Sequence, residues 1–498
     1  MLNHLSVPLN VYGTSLDALS SIPAPPASLP ATNPTKSFWL DPEDNPLAKE
    51  GSIGPLASDE VDICIIGSGI TGISTLWHLV NGLKSRTKDT KIMVLEARDF
   101  CSGATGRNGG HLLPNPFLGF VAREAAHGTN EAIKSFEFEQ RCAKVILKFV
   151  EDEGIASEID LVEGGHLMLL FSNEEEASTK RDYDAAVKAG MKLSDIEWVE
   201  KPVVERRYGA PYPAVRSGAH NLWPAKLVTA LFNASQRIAE QSNAIDIHLH
   251  TSAPVTSVLT NSQGKNVLST PRGQVTAKYV VHATNAYAAY LLPRLHGPLG
   301  IIPTRGQVIA IRHDAGNGTE KGTEMKKVSW DGNDGFEYWF PRPQRSTSKI
   351  SHETPLIILG GGREIAKGFE VHVSDDSTCN EEVGEGLRKF LGSVFVGSGE
   401  GKVEREWTGI MGFTKDGDPF VGPVPSQKEF EKPSGQYIAA GYTGHGMPRA
   451  FSCGDIVSSM ILSEIDGKPW EKPDWFPGTY LTWNKKEEAP HSNPNRPA

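Results

Sequence analysis

The chain is expected to adopt an α/β (α+β) fold. A Rossmann-like domain would be assembled from discontinuous segments, with a second, sheet-rich domain laid over it. Three features lead there. Residues 61–72 read Val-Asp-Ile-Cys-Ile-Ile-Gly67-Ser-Gly69-Ile-Thr-Gly72, a β-branched strand entering a glycine turn and then a helix. Glu96 closes the next apolar run, Ile92-Met-Val-Leu95. Strand-like segments recur at 245–283 and at 436–440, so pieces far apart in sequence have to share one sheet.

The order of elements follows from composition and period. Residues 1–58 are rich in Pro, Ser, Ala and Asn, and 23–34 reads as disordered or extended. Ser37-Phe-Trp-Leu40 is a short apolar island able to dock on the body. Residues 128–150 have helical spacing, with Ile133, Phe136, Phe138, Val145, Ile146 and Phe149 as core, and 174–190 reads as a charged surface helix. A helix from Pro224 to Ala239 is followed by strands at Ile245–His250, Val255–Thr260 and Val275–Ala283. Residues 305–312, 335–341 and 355–361 are strand-like, punctuated by Gly and Pro. A last strand, Gln436–Ala440, runs through Gly441-Tyr-Thr-Gly-His-Gly446 into a helix from Met447 to about Leu462, with Pro448 in its first turn. From 476 the tail is polar. The expected division is an N-terminal extension to 58, a dinucleotide domain from 59–154, 213–304 and 406–475, and a substrate domain from 155–212 and 305–405.

Composition narrows the function classes. The 498 residues are 39% hydrophobic and carry a formal net charge of -10, with no strongly basic stretch, so nucleic acid and anionic membrane surfaces are not expected partners. The 321–327 region mixes lysines with acids and glycines and reads as a solvated loop. The cysteines at 64, 101, 142, 379 and 453 show no CxxC spacing, and Cys64 falls inside the first strand as a core residue. No zinc spacing appears among the 15 histidines, so no metal is expected; His248 and His250 alternate on a strand. There is no secretory pattern, no run long enough to span a membrane, and the C-terminal Asn-Arg-Pro-Ala is not a peroxisomal tripeptide. A cytoplasmic location is the expectation, and it leaves Asn233 and Asn317 without meaning as glycosylation acceptors.

The fingerprint assigns roles to its glycines. Gly67 makes the tight turn, Gly69 lets backbone approach a pyrophosphate, and Gly72 lets the helix sit close on the strand. Ile70 and Thr71 open the helix whose N-terminus faces the phosphates, and Glu96 can hold the adenosine ribose hydroxyls. The alternative is a glycine-rich turn in some other α/β unit. NAD and FAD both fit to this point. Ser102-Gly-Ala-Thr-Gly-Arg-Asn-Gly-Gly-His111 separates them, because it follows Glu96 where an NAD dehydrogenase would usually enter a helix. Its glycines let backbone lie flat against a long ligand, and Arg107 can meet the pyrophosphate; a flexible surface loop is the alternative.

These pieces resemble the D-amino-acid oxidase, glycine oxidase and sarcosine oxidase superfamily of FAD enzymes. Pro303-Thr-Arg-Gly-Gln307, Trp407–Pro419 and Ala439–Gly446 complete the likeness over about residues 58–465. The early glycine stretch, with an aromatic leader before the first strand, looks most like γ-glutamylputrescine oxidase and fungal relatives. The resemblance implies a D-amino-acid oxidase/glutathione reductase-like fold. It implies FAD contacts at Gly67, Gly69, Ile70, Thr71, Gly72, Glu96, Ala97 and Arg98. Further contacts follow at Gly103, Ala104, Arg107, Asn108, Gly109 and Gly110, then at Val255, Ala283 and Thr284, and at Gly444, His445 and Gly446 beside the flavin pyrimidine. Two departures carry information. Where relatives tether flavin through a cysteine or an early-loop histidine, this chain has Gly409 and Arg107, so FAD would be non-covalent. Where amino-acid oxidases clamp a carboxylate with arginine, it has Met411, so an amine or secondary amine fits better than a plain amino acid.

Candidate catalytic residues follow. His445 can touch flavin or cap a helix, and His111 can line the same pocket or pack. Tyr338, on one face with Phe336 and Phe340, can order the substrate amine or be an ordinary sheet aromatic. Arg305 can reach a substrate acid or form a structural salt bridge, and Trp330 can wall the site. The expected reaction takes an amine to an imine on FAD, with oxygen giving hydrogen peroxide. A dehydrogenase with another acceptor, a biosynthetic oxidase of a larger metabolite and a flavin-binding protein without turnover stay open.

Overall fold

The computed structural model describes residues 24–86, 89–242, 244–313, 327–343, 354–395, 398–425 and 435–485. The solvated-loop reading for 321–326, the acceptor site at Asn317 and the outer ends of both polar termini lie outside the described residues.

One eight-stranded sheet is built on the fingerprint strand, Glu60–Ile66. It pairs in parallel with Thr90–Leu95 on one side and with Gly273–His282 on the other, and Ile245–His250 extends the parallel core. Gln436–Ala440 joins in parallel beside His282, completing the contribution from the far end of the chain. Apolar side chains occupy both faces of these strands, as a sheet covered on both sides requires. On one face the helices Ile70–Leu83, Pro224–Ser242 and Met447–Ile465 pack together over Ile63, Ile65, Ile92 and Val94. On the other, Val61, Cys64, Ile66 and Met93 pack against Ala253, Val255 and Leu268.

A second eight-stranded sheet is mostly antiparallel. Its order is Lys402–Phe413, Ile302–Arg312, Leu356–Gly361, Glu337–Pro341, Ser329–Gly332, His166–Leu169, Ala214–Ser217 and Glu197–Val199. Its core holds Trp330 and Trp339, stacked at 5.9 Å, beneath the helix Glu381–Val394. A small three-stranded sheet, His111–Leu112, His220–Asn221 and Val162–Glu163, lies between the two in the chain path.

Several expectations need adjustment. Ala214–Ser217 and residues 406–413 of the strand Lys402–Phe413 pair into the second sheet, although sequence boundaries at 213 and 406 place them with the first. Hydrogen-bond register decides this, and register is not visible in an apolar run. The helix Glu381–Val394 was not expected; its N-cap Asn380 accepts from Glu382 and Val383 backbone N–H groups. The tail read as polar from 476 begins with apolar anchors, since Phe476 and Tyr480 are fully buried against Phe138. Residues 24–34, expected to be disordered or extended, run over the body, pinned by Pro25, Ser28 and Ala31. The apolar island does dock: Trp39 is fully buried and packs on Trp223 at 5.4 Å.

His282 ends the strand that carries the cofactor-facing turn. It is fully buried, with Nε2 2.9 Å from Gln436 Oε1, and burial holds it down at about 4. A histidine held neutral in the fold while the unfolded chain takes a proton near 6.5 destabilises the fold as pH falls from 6.5 towards 4. Between pH 7 and pH 4.5 this amounts to roughly 2–3 kcal/mol. The measured drop in Tm over that interval should be smaller in His282→Gln than in the parent chain; equal drops would show that His282 contributes nothing.

Candidate active site

The glycine turn behaves as its spacing suggests. Gly67 has φ +107°, a conformation glycine tolerates best. A Cβ on Gly72 would sit 1.9 Å from the Gly67 carbonyl oxygen and 3.2 Å from the Ile65 side chain, so only glycine lets this helix rest on this strand. A Cβ on Gly69 would stand 3.1 Å from Thr105 Oγ1, which itself accepts the Ile70 N–H at 3.1 Å. Glu96 is fixed from two sides. One oxygen accepts the Ser68 N–H and hydroxyl at 3.0 and 2.7 Å, and the other accepts the Arg98 N–H at 3.0 Å. A carboxylate has lone pairs left after that, and its edge remains on the cleft.

The early glycine stretch is held by arginines whose charges are met within the protein. Arg98 donates to both oxygens of Asp376, at 2.9 and 3.0 Å. Arg107 donates to the carbonyls of Ser102, Thr35 and Thr408 and lies 3.5 Å from Asp376. Burial lowers its pKa to about 10, against the pull of Asp376. The contact expected between Arg107 and a pyrophosphate therefore competes with a network that ties the loop to the second sheet.

These parts line one cleft of about 1090 Å³, just above the usual range for small-molecule sites. Gly67, Gly69, Ile70, Thr71, Glu96, Ala97 and Arg98 line it, as do Val255, Ala283 and Thr284. Gly103, Ala104, Arg107, Asn108 and Gly109 continue its wall to His111, Tyr338, Met411, Gly444, His445 and Gly446. Gly72 and Gly110 do not reach the cleft; a Cβ on Gly110 would meet the Leu222 carbonyl at 2.8 Å, so both act in packing. The surface suits a long ligand with a diol and phosphates. The Thr284 hydroxyl is buried on the cleft without a partner, and a Cβ on Gly103 would meet nothing within 4 Å.

Two expected substrate residues are elsewhere. Trp330 is fully buried in the second sheet's core, stacked on Trp339, because its strand turns that face towards the helix Glu381–Val394. Arg305 pairs with Glu370 and reaches Thr378 Oγ1 at 3.0 Å, away from the cleft; its neighbour Gly306 is the residue that lines it.

Tyr338 and His111 do come together. Their rings meet edge-on at 5.4 Å, and Phe340 stands 5.3 Å from the imidazole. Tyr338 is seated by two glycines: a Cβ on Gly109 or on Gly360 would lie 2.4 Å from its ring atoms. Burial pushes its hydroxyl up to about 12, with the charge of Arg363 acting the other way. Burial, then the neighbouring His166, takes His111 down to about 3, so it is neutral at physiological pH. Its ring nitrogens are buried beside the Trp339 and Gly109 backbones, which act weakly against that shift.

His445 does not cap its helix. Gly446 holds the cap position, and the imidazole Nε2 lies 2.9 Å from Glu139 Oε2. Arg449 Nε donates to the other oxygen at 2.7 Å. Burial alone would raise Glu139, but the charges of His445 and Arg449 hold it at about 2. Sequence reasoning missed Glu139, although a signal existed: it sits three residues after Phe136 and seven before Ile146, on the apolar stripe of its helix. A further cation is Arg363. It lines the cleft, with its guanidinium 5.3 Å from the Phe336 ring and 4.9 Å from the Phe413 ring. Ser68, Thr105 and Tyr442, whose hydroxyl accepts from Thr71 at 3.1 Å, also escaped, since single hydroxyls carry no pattern.

Among the described residues no cluster suited to a metal ion occurs, and no helix is long and apolar enough to cross a membrane. A probable oxidoreductase OrdL of Rhizobium meliloti is 23% identical over 452 residues, covering 84% of this chain and 88% of that protein. Gamma-glutamylputrescine oxidoreductase of Escherichia coli is 29% identical over 237 residues, covering 45% of this chain and 49% of that protein. The fold is shared with glycine oxidase from Geobacillus kaustophilus, at a TM-score of 0.60 and 19% identity over 85% of this chain and 99% of that one. The family model described as DAO, FAD dependent oxidoreductase, matches residues 62–460. Fingerprint, cleft and a match through nearly the whole described body agree: the chain belongs to the DAO family of FAD-dependent oxidoreductases, with FAD as its cofactor.

Proposed function

We propose that this enzyme oxidises the C–N bond of an amine or secondary amine to an imine, with oxygen as acceptor and hydrogen peroxide as product. The observation that carries the reading is the continuity of one cleft from the fingerprint to an apolar end holding Tyr338, His111 and Met411. Bound FAD supplies the two-electron oxidant. The names of related proteins, a gamma-glutamylputrescine oxidoreductase and a glycine oxidase, support an amine-bearing substrate.

The chain's own residues would bind, orient and keep water out. An amine must be neutral to give up a hydride, and an apolar wall of Phe336, Met411 and Phe413 disfavours the ammonium form. The Tyr338 hydroxyl stays protonated, so it can accept from the amine N–H or donate to its lone pair. Neutral His111 adds a second uncharged partner. Glu139 holds His445 and Arg449 in place at the first turn of the helix Met447–Ile465, whose N-terminus favours negative charge nearby. Gly409 and Arg107 pack together, a Cβ on Gly409 lying 2.9 Å from that of Arg107. Neither offers a nucleophile at the positions where relatives form tethers, which supports non-covalent FAD.

Two outcomes are expected. Acid or heat should release intact FAD, and Gly69→Val should abolish FAD content because its side chain meets Thr105 and the phosphate path. Glu96→Ala should weaken FAD by only about 1.5–3 kcal/mol, the worth of charge-assisted hydrogen bonds. Flavin that stays on the denatured polypeptide, or full FAD content in both variants, would count against this placement. The second outcome concerns substrate. Met411 cannot pair a carboxylate, and an unpaired buried charge costs about 3–5 kcal/mol, on the order of a hundredfold or more in rate. In anaerobic flavin reduction with matched pairs, each decarboxylated amine should outrun its amino acid, and peroxide should appear on admitting oxygen. If the amino acids win and Arg363→Met removes that preference, the carboxylate is held by Arg363 and the amine reading falls. Reduction without peroxide would mark another acceptor.

A further inference from the structure

The family match begins at residue 62, yet a segment well before it reaches the cofactor cleft. Residues 24–41 cross the body as an irregular strap. Its far part, 35–41, is firmly built in. The Thr35 N–H donates to the Asp376 carbonyl at 2.8 Å, and its hydroxyl accepts the Thr408 N–H at 2.9 Å. The Ser37 hydroxyl donates to the Gly106 carbonyl, and Trp39 Nε1 donates to the Asn108 carbonyl, both at 2.6 Å. Gly106 and Asn108 belong to the glycine stretch that walls the cleft, so the strap fixes that stretch from behind.

The near part, 24–34, is held by fewer contacts. His296 Nε2 meets the Pro25 carbonyl at 2.8 Å, the hydroxyls of Ser28 and Ser374 meet at 3.0 Å, and Arg98 donates to the Ala31 carbonyl at 3.2 Å. Between these anchors Leu29 and Pro30 face the cleft. Arg98 lies two residues beyond Glu96, which places the pair at the ribose end of the cofactor site. An apolar leucine and proline laid over a nucleotide end exclude water from it. A chain held by three polar anchors, one exposed and two partly buried, opens at far lower cost than one holding a buried tryptophan.

We propose that residues 24–34 are part of the FAD site, a retaining strap that closes the adenosine end and must lift for FAD to exchange. Trp39 stays docked while it does so. FAD release is therefore controlled by the strap, independently of substrate chemistry.

The test uses purified holoenzyme, with release of FAD followed by the rise in flavin fluorescence on dilution. Deleting residues 1–33 should speed release about tenfold, the factor expected for losing one leucine-sized buried contact. A second variant guards against misfolding of the first. Ser28→Cys with Ser374→Cys, in a Cys379→Ser background that removes the exposed thiol, can be latched by oxidation. The latched form should release FAD several-fold more slowly than the same protein after dithiothreitol. Limited proteolysis should cut within 24–34 faster in apoprotein than in holoenzyme. Release rates unchanged by both the deletion and the latch would overturn the proposal, as would equal cutting of the apo and holo forms.

Discussion

One buried carboxylate organises the approach to the cofactor. Asp376 is 1% exposed and takes two hydrogen bonds from Arg98, with Arg107 at 3.5 Å. Its backbone carbonyl accepts from Thr35 and from the Thr408 hydroxyl. Four pieces of chain meet there: the turn after the second parallel strand, the early glycine stretch, the N-terminal strap and the long strand Lys402–Phe413. A buried ion group of this kind contributes little net stability against a well-packed apolar alternative, but removing one member leaves an uncompensated charge costing about 3–5 kcal/mol. Its effect is to fix geometry: the two sheets cannot slide without breaking it, and the cleft lies between them.

The same pattern recurs around the cleft. Glu139 is satisfied by His445 and Arg449, Arg305 by Glu370, and Arg123 by Asp418. Each charge brought near the site arrives with its partner, as burial demands. The phosphates of FAD would then depend on backbone N–H groups and on the dipole at the start of the fingerprint helix more than on arginine side chains. That division explains why the fingerprint has to be glycine-rich: backbone can serve as the ligand only where nothing stands in front of it.

Legibility in the sequence followed the same physics. Backbone-driven features were readable. The strand, turn and helix at 60–83, the far strand Gln436–Ala440 and the helix from Met447 all depend on local period and on glycine spacing. Features set by long-range pairing were not. Trp330 and Tyr338 sit on neighbouring antiparallel strands with Asp331 opposite Tyr338, so Tyr338 and Trp330 face opposite sides of one sheet. Nothing in either segment says which face meets the cleft; the packing of Glu381–Val394, over three hundred residues from the fingerprint, decides it. For Arg305 the structure takes the salt-bridge reading over the substrate one, but the partner, Glu370, is distant in sequence and carries no motif that would name it.

The substrate end sets a group of neutral side chains beside the Arg363 guanidinium. His111 is neutral, Tyr338 keeps its proton, and Met411 presents a thioether. Neutral partners discriminate through shape and hydrogen-bond geometry, not through Coulomb attraction, and they do not penalise loss of charge from the reacting nitrogen. The glycines at 109 and 360 belong to this design. By admitting the Tyr338 ring between the early loop and the second sheet, they couple the wall of the cofactor site to the wall of the substrate site. A side chain at either glycine would push Tyr338 away from His111 and open the junction to water, the condition under which an amine regains its proton.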